Sequence, residues 1–166
     1  MANKETFCIA CIQGLRKLYR CNNPLSIKLL VFILEFADFD TGYSSVSRGG
    51  LIDASRQFNV SEDEILESLD ELIENEIIFR AIGRELTTGK PALFDYIFIL
   101  NPHVLWFGKY ANKEPLVRYV DKYLSHGMWK QLSFIDKSTL SEWIVEEKVR
   151  IEKATYTYTE RLEDKK

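Results

Sequence analysis

The residues of this chain with chemistry beyond packing are a Cys-x-x-Cys pair, two histidines, and basic side chains set around a strongly acidic helical segment. Cys8 and Cys11 have the spacing that opens a zinc site or a dithiol redox motif. Cys21 has no second Cys-x-x-Cys or His-x-x-x-His pair to join, and His103 and His126 stand apart from each other. A thioredoxin-like dithiol requires a βαβ context, and none surrounds the motif. FCIACI reads more simply as an apolar face with small free cysteines, so no metal and no cofactor are expected. The chain has no nucleophile elbow, phosphate-binding glycine loop or His-Glu-x-x-His motif. It is therefore expected not to be an enzyme.

Charge carries more information. The net charge of −3 is unevenly spread: residues 61–76 hold eight acidic side chains and no Lys or Arg. Segment 109–130 is net +3, and so are the first 20 residues. Neutralising phosphates takes Lys and Arg. The residues suited to it flank the acidic stretch: Arg48 before one helix, Arg56 and Gln57 at its end, and Arg80, Arg84 and Lys90 on the segment after. Asn59 and Ser61, at the start of the acidic helix, complete the candidate set. A carboxylate can accept from a cytosine amine in the major groove, but six or more on one helix oppose a phosphate backbone. Acids in the first turn have a local reason, because Glu62, Asp63 and Glu64 suit the positive end of a helix. Glu71 and the acids beyond it have no such reason in the sequence.

The elements that must position these residues follow from periodicity. Residues 7–20 read as a short helix. Pro24 fits a helix first turn with Asn23 as cap, opening PLSIKLLVFILEFAD, which is apolar on nearly all sides and so central to a core. Ser45–Arg48 reads as a short strand, Gly49-Gly50 as a turn, and Leu51–Phe58 as about two helical turns. Ser61 with Glu64 forms a capping box. Ile65, Leu66, Leu69, Leu72 and Ile73 then recur at helical spacing until Asn75. Residues 77–82 and 93–100 read as two strands joined by a polar loop, the second stopped by Asn101-Pro102. The tail, 112–166, reads as helices, one of them starting at a Thr139–Glu142 capping box. TYTYT within it suits a strand as well as a helix. The whole is mostly α with a small β-hairpin (α+β), in the order of a winged helix-turn-helix with additional N- and C-terminal helices. Two regions are expected: residues 1–108, the winged-helix domain with its N-terminal helix, and 109–166, a helical extension packed on it or used for dimerisation.

The hairpin's second strand runs into YIFILNPHVLWFGKY, and in this the chain resembles the winged-helix domains of small plasmid replication proteins, the Firmicute RepL-like group. The residues that carry the resemblance are Tyr96, Asn101, Pro102 and Gly108, and it covers about half the chain. It implies a DNA-binding role in plasmid or phage replication initiation or its control.

The expected function is therefore that of a cytoplasmic, winged-helix DNA-binding regulator of replication or transcription. Its partner is double-stranded DNA, with a homodimer as a further possibility. The alternative is a protein–protein adaptor that offers the acidic helix Ser61 to Glu76 to a basic partner. Trp106, Phe107, Tyr119, Tyr123, Trp129, Phe134 and Trp143 are either part of such an interface or the packing of the extra helices. No apolar run reaches the length of a membrane span, so no membrane partner is expected.

Overall fold

Asn23 begins the first long element. Its side-chain oxygen accepts from the Leu25 amide at 2.9 Å, and Pro24 occupies the first helical position. Pro24 has no N–H to leave unpaired there and holds a helical φ. The computed structural model describes residues 9–38, 41–82, 95–106, 110–125, 131–133 and 137–163. In chain order these form strand β1 (Ile9–Ala10), helices α1 (Ile12–Leu18) and α2 (Pro24–Glu35), strand β2 (Tyr43–Ser47), and helices α3 (Arg48–Phe58) and α4 (Glu62–Glu74). Strands β3 (Ile78–Ile82), β4 (Asp95–Leu100) and β5 (Leu105–Trp106) follow. A 3₁₀ turn at Tyr110–Asn112 then leads into helix α5 (Lys113–Ser125), strand β6 (Gln131–Ser133) and helix α6 (Lys137–Glu163). The class is mostly helical α+β.

The sheet runs β2-β4-β3-β6, with β2, β4 and β3 antiparallel and β6 added parallel to β3. Strand alternation sends successive side chains to opposite faces. Val46, Ile78, Phe98 and Leu100 join Leu29, Ile33, Leu51, Ile65 and Leu72 of α2, α3 and α4. From the other face Phe79, Ile97 and Ile99 meet Trp106, Leu116, Val120, Leu140 and Ile144. Both faces of the sheet are thus covered, the second by α5 and α6.

The link from α3 to α4 is a left-handed residue, Asn59 (φ 55°), with the Val60 amide bonded back to the Ser55 carbonyl at 2.9 Å. Asn tolerates that conformation better than most side chains. The capping box at Ser61 and Glu64 is formed in both directions. Glu64's carboxyl lies below its usual range because the Ser61 amide, and then the Ser61 hydroxyl, donate to the ionised form. At the far end of α4, left-handed Glu76 (φ 56°) ends the helix, and the Ile77 amide bonds to the Leu72 carbonyl.

Several expectations are corrected. Gly49 and Gly50 are not a turn but the first turn of α3, capped by Ser47, whose hydroxyl accepts from the Gly50 amide at 3.0 Å. Residues 7–20 are not one helix: β1 pairs with β5, and α1 begins only at Ile12. Gly14 lets α1 lie against the chain after β4, since a Cβ there would stand 2.2 Å from the His103 carbonyl. Thr139 lies inside α6, which starts two residues earlier, and TYTYT is helical. The tail also contributes strand β6, which side-chain periodicity did not reveal.

Candidate nucleic-acid interface

Of the proposed phosphate-binding residues, Arg48 and Arg80 are each set beside the same ring, that of Tyr96. Arg80 on β3 is paired across to Phe98, which puts its side chain diagonal to Tyr96 on the same face of the sheet. The guanidinium carbon sits 5.0 Å from the centre of the Tyr96 ring. That is a cation–π contact of the order of 0.5–1 kcal/mol at an exposed site. Tyr96 is itself stacked on Phe98, ring centres 6.4 Å apart. Arg48 and Tyr96 share a small cavity of 90 Å³ between the N-terminal turns of α3 and α4, which Ile52, Glu62 and Leu66 also line.

Arg48 is exposed and occupies the first position of α3. The unpaired amides and the macrodipole make that end positive, so a cation there adds to a field that already attracts anions. Glu62 opposes this on the cavity's other wall. The cavity is therefore mixed in charge, with Arg48 at the start of α3 and the acid on the α4 side, while Arg80 lies over Tyr96 on the sheet.

The remaining candidates are separate from it. Arg56 and Gln57 are exposed at the opposite end of α3, a helix about 16 Å long by its eleven residues. Arg56 reaches Asp53 at 3.5 Å, and both are well exposed. Asn59 serves the turn, and the Ser61 hydroxyl both accepts from the Glu64 amide and donates to its carboxylate. Arg84, Lys90 and Gly108 lie outside the described residues.

The acidic helix is explained in part by contacts that sequence reading missed. Glu71 receives the Asn22 amide at 2.7 Å, the Asn23 amide at 3.4 Å, and the Ser26 hydroxyl. It thereby caps the positive end of α2 from another helix. Partial burial works against its ionisation, but the Ser26 hydroxyl and the two amides outweigh this and hold its carboxyl below the usual range. Ser68, one turn earlier, accepts from the Asn23 side chain at 3.1 Å. Glu76 is ion-paired with Lys17 of α1. Glu62, Asp63, Glu67 and Asp70 remain exposed on the outer side, where Leu66 is 40% exposed among them.

Asn101 and Pro102 act in structure. Asn101 is buried, donates its side-chain amide to the Glu76 carbonyl at 2.7 Å and accepts from the His103 amide at 3.0 Å. It ties the end of β4 to the end of α4. The tail aromatics divide in the same sense. Trp106 and Tyr119 are buried, and Tyr119 meets Trp143 edge-on at 5.5 Å, so these pack the extension rather than offer an interface. Phe107, Trp129 and Phe134, with the side chain of Tyr123, lie outside the described residues.

The cysteine chemistry does not assemble around the described members. Cys8 lies outside the described residues, Cys11 is half-buried, and burial followed by the charge of Glu71 pushes the Cys21 thiol up. Among the described residues no group of three or more His, Cys, Asp and Glu is placed to hold a metal ion, and no helix is long and apolar enough to cross a membrane.

Comparison of the chain with protein-family models, with curated proteins and with solved structures finds no match.

Proposed function

We propose that this chain is a DNA-binding winged-helix protein that acts in plasmid or phage replication, or in transcription control. In this reading α3 and α4 are the helix-turn-helix and β3 and β4 the wing. The observation that carries it is the placement of Arg48 and Arg80 beside the same ring, Tyr96, with Arg48 at the positive end of α3. Two guanidinium groups flanking one ring, one of them at a helix N-terminus, suit a phosphate and its sugar. The outer face of α4, with Glu62, Asp63, Glu67 and Asp70, does not suit the phosphate backbone. The duplex is therefore held from the strand and from the start of α3, not by α4 lying in the groove.

Fluorescence anisotropy with a labelled random duplex, titrated at about 50 mM and at raised salt, tests this. Binding at low salt that weakens steeply with added salt is expected. Arg48→Ala and Arg80→Ala should each weaken it and lower the salt slope by roughly one. No binding at low salt would sink the reading.

A second reading is favoured by one feature, the half-exposed Leu66 ringed by Glu62, Asp63 and Asp70 on α4. An apolar centre with an acidic rim suits a basic protein segment. Pull-down with Glu67 and Asp70 reversed to Lys discriminates: partners retained unchanged count against an acidic docking face.

A further inference from the structure

Cys11 and Lys113 come from distant parts of the chain and meet at the edge of a groove. The Cys11 amide donates to the Val104 carbonyl at 3.0 Å, and β1 pairs with β5, which fixes the start of α1 on the strand that precedes α5. Lys113 is the first residue of α5, and its ammonium donates to the Cys11 sulfur at 3.5 Å across 102 residues of chain. The same sulfur lies 3.9 Å from the Pro102 carbonyl. Both side chains are half-buried, and they line a groove of 550 Å³ together with Lys17 and His103. Lys17 is answered by Glu76, and His103 by Asp121 at 2.7 Å. Lys113 has no carboxylate partner among the described residues, so it is the cation of the groove whose charge is left to a thiol and to what enters.

We propose that this groove is a modification site, in which Cys11 takes up an anionic low-molecular-weight thiol of the glutathione type as a mixed disulfide. The Cys11 thiolate attacks one sulfur of the symmetric disulfide of that thiol. The new S–S bond forms as the old one breaks, and the other half leaves as a thiolate, which takes up the proton that Cys11 gave up. The incoming disulfide is the oxidant, so one half of it is reduced as Cys11 is oxidised. Lys113 serves this step twice: its ammonium stabilises charge on the attacking sulfur, and it attracts the carboxylates of the incoming molecule. Cys21 supplies the contrast within the same chain. It too is half-buried, but the charged group beside it is Glu71, which repels both a thiolate and an anionic reagent. The groove shares no residue with Arg48 and Arg80, so the proposal stands or falls apart from DNA binding.

Peptide mass spectrometry of the full chain, treated with glutathione disulfide or with the cationic disulfide cystamine at low salt, tests it. Each rate is taken relative to the same reagent on the urea-unfolded chain, which removes the reagents' intrinsic difference. In the folded protein glutathione disulfide is expected to modify Cys11 faster than Cys21, and Cys11 is expected to favour glutathione disulfide over cystamine. Lys113→Gln should lower that preference about tenfold, and Lys113→Arg, which keeps the charge, should retain it. Circular dichroism checks that each variant keeps its helix content. Equal rates at Cys11 and Cys21, a preference unchanged in folded Lys113→Gln, or recovery of Cys11 joined to Cys8 instead of to the added thiol would each overturn the proposal.

Discussion

On the inner side of α4, Glu71 collects two backbone amides and a hydroxyl from the start of α2. On the outer side of the same helix, Glu67 and Asp70 face water. All three are carboxylates within five positions of one helix, yet one belongs to the architecture and the others to the surface. The acidic run therefore overstates the charge a partner meets. Glu64 caps its own helix, Glu71 caps a neighbouring one and Glu76 pairs with Lys17. What faces outward is the smaller set around Leu66. A helix dense in acids is thus compatible with a cationic site next to it, because its inner acids are already engaged.

The largest effect separating the two sides is expected from the apolar stripe. Leu72 is fully buried between α2 and the sheet, so Leu72→Ala should cost about 2–5 kcal/mol in urea unfolding. A loss under about 1 kcal/mol would mean that α4 does not pack as described. Next comes Glu71→Gln, which keeps the shape and removes the charge that caps α2. Near neutral pH it should cost about 1 kcal/mol. The pH dependence follows from the lowered folded pKa of Glu71. Its contribution is present above the unfolded carboxyl pKa and is lost as pH falls through the folded value. Wild type and Glu71→Gln should therefore differ most near neutral pH and converge in acid, and a gap that persists at low pH would assign the effect to packing. The smallest stability effect is expected on the outer side. Glu67→Lys with Asp70→Lys should change stability by no more than about 0.5 kcal/mol, while tightening duplex binding by removing repulsion. If the outer reversal destabilised as much as Glu71→Gln, the division between the two sides would collapse.

The same division explains how much was legible beforehand. The start of α4 was readable because Ser61 and Glu64 are three residues apart and every contact of the capping box is local. The stripe from Ile65 to Ile73 was readable from its spacing, and β3 and β4 from their β-branched and aromatic content. Gly49-Gly50 was misread because a glycine pair signals a turn unless a serine cap just before it starts a helix. Strand β6 was missed because a three-residue strand paired in parallel to a distant neighbour leaves no periodic trace. The candidate site was half visible: Arg48 and Arg80 stand out by charge among acids, but nothing in the sequence brings Tyr96 between them.

By itself, then, the sequence determined where α4 begins, which of its faces is apolar, and that a pair of strands follows it. These depend on contacts within a turn or on a repeat that one helix or strand expresses alone. Only the tertiary structure decided that Glu71 serves α2 across 49 residues of chain, that Arg80 lies over Tyr96, and that α5 and α6 close the second face of the sheet. Such contacts arise from how separate elements pack, and residue type and spacing carry no record of which distant group will arrive opposite.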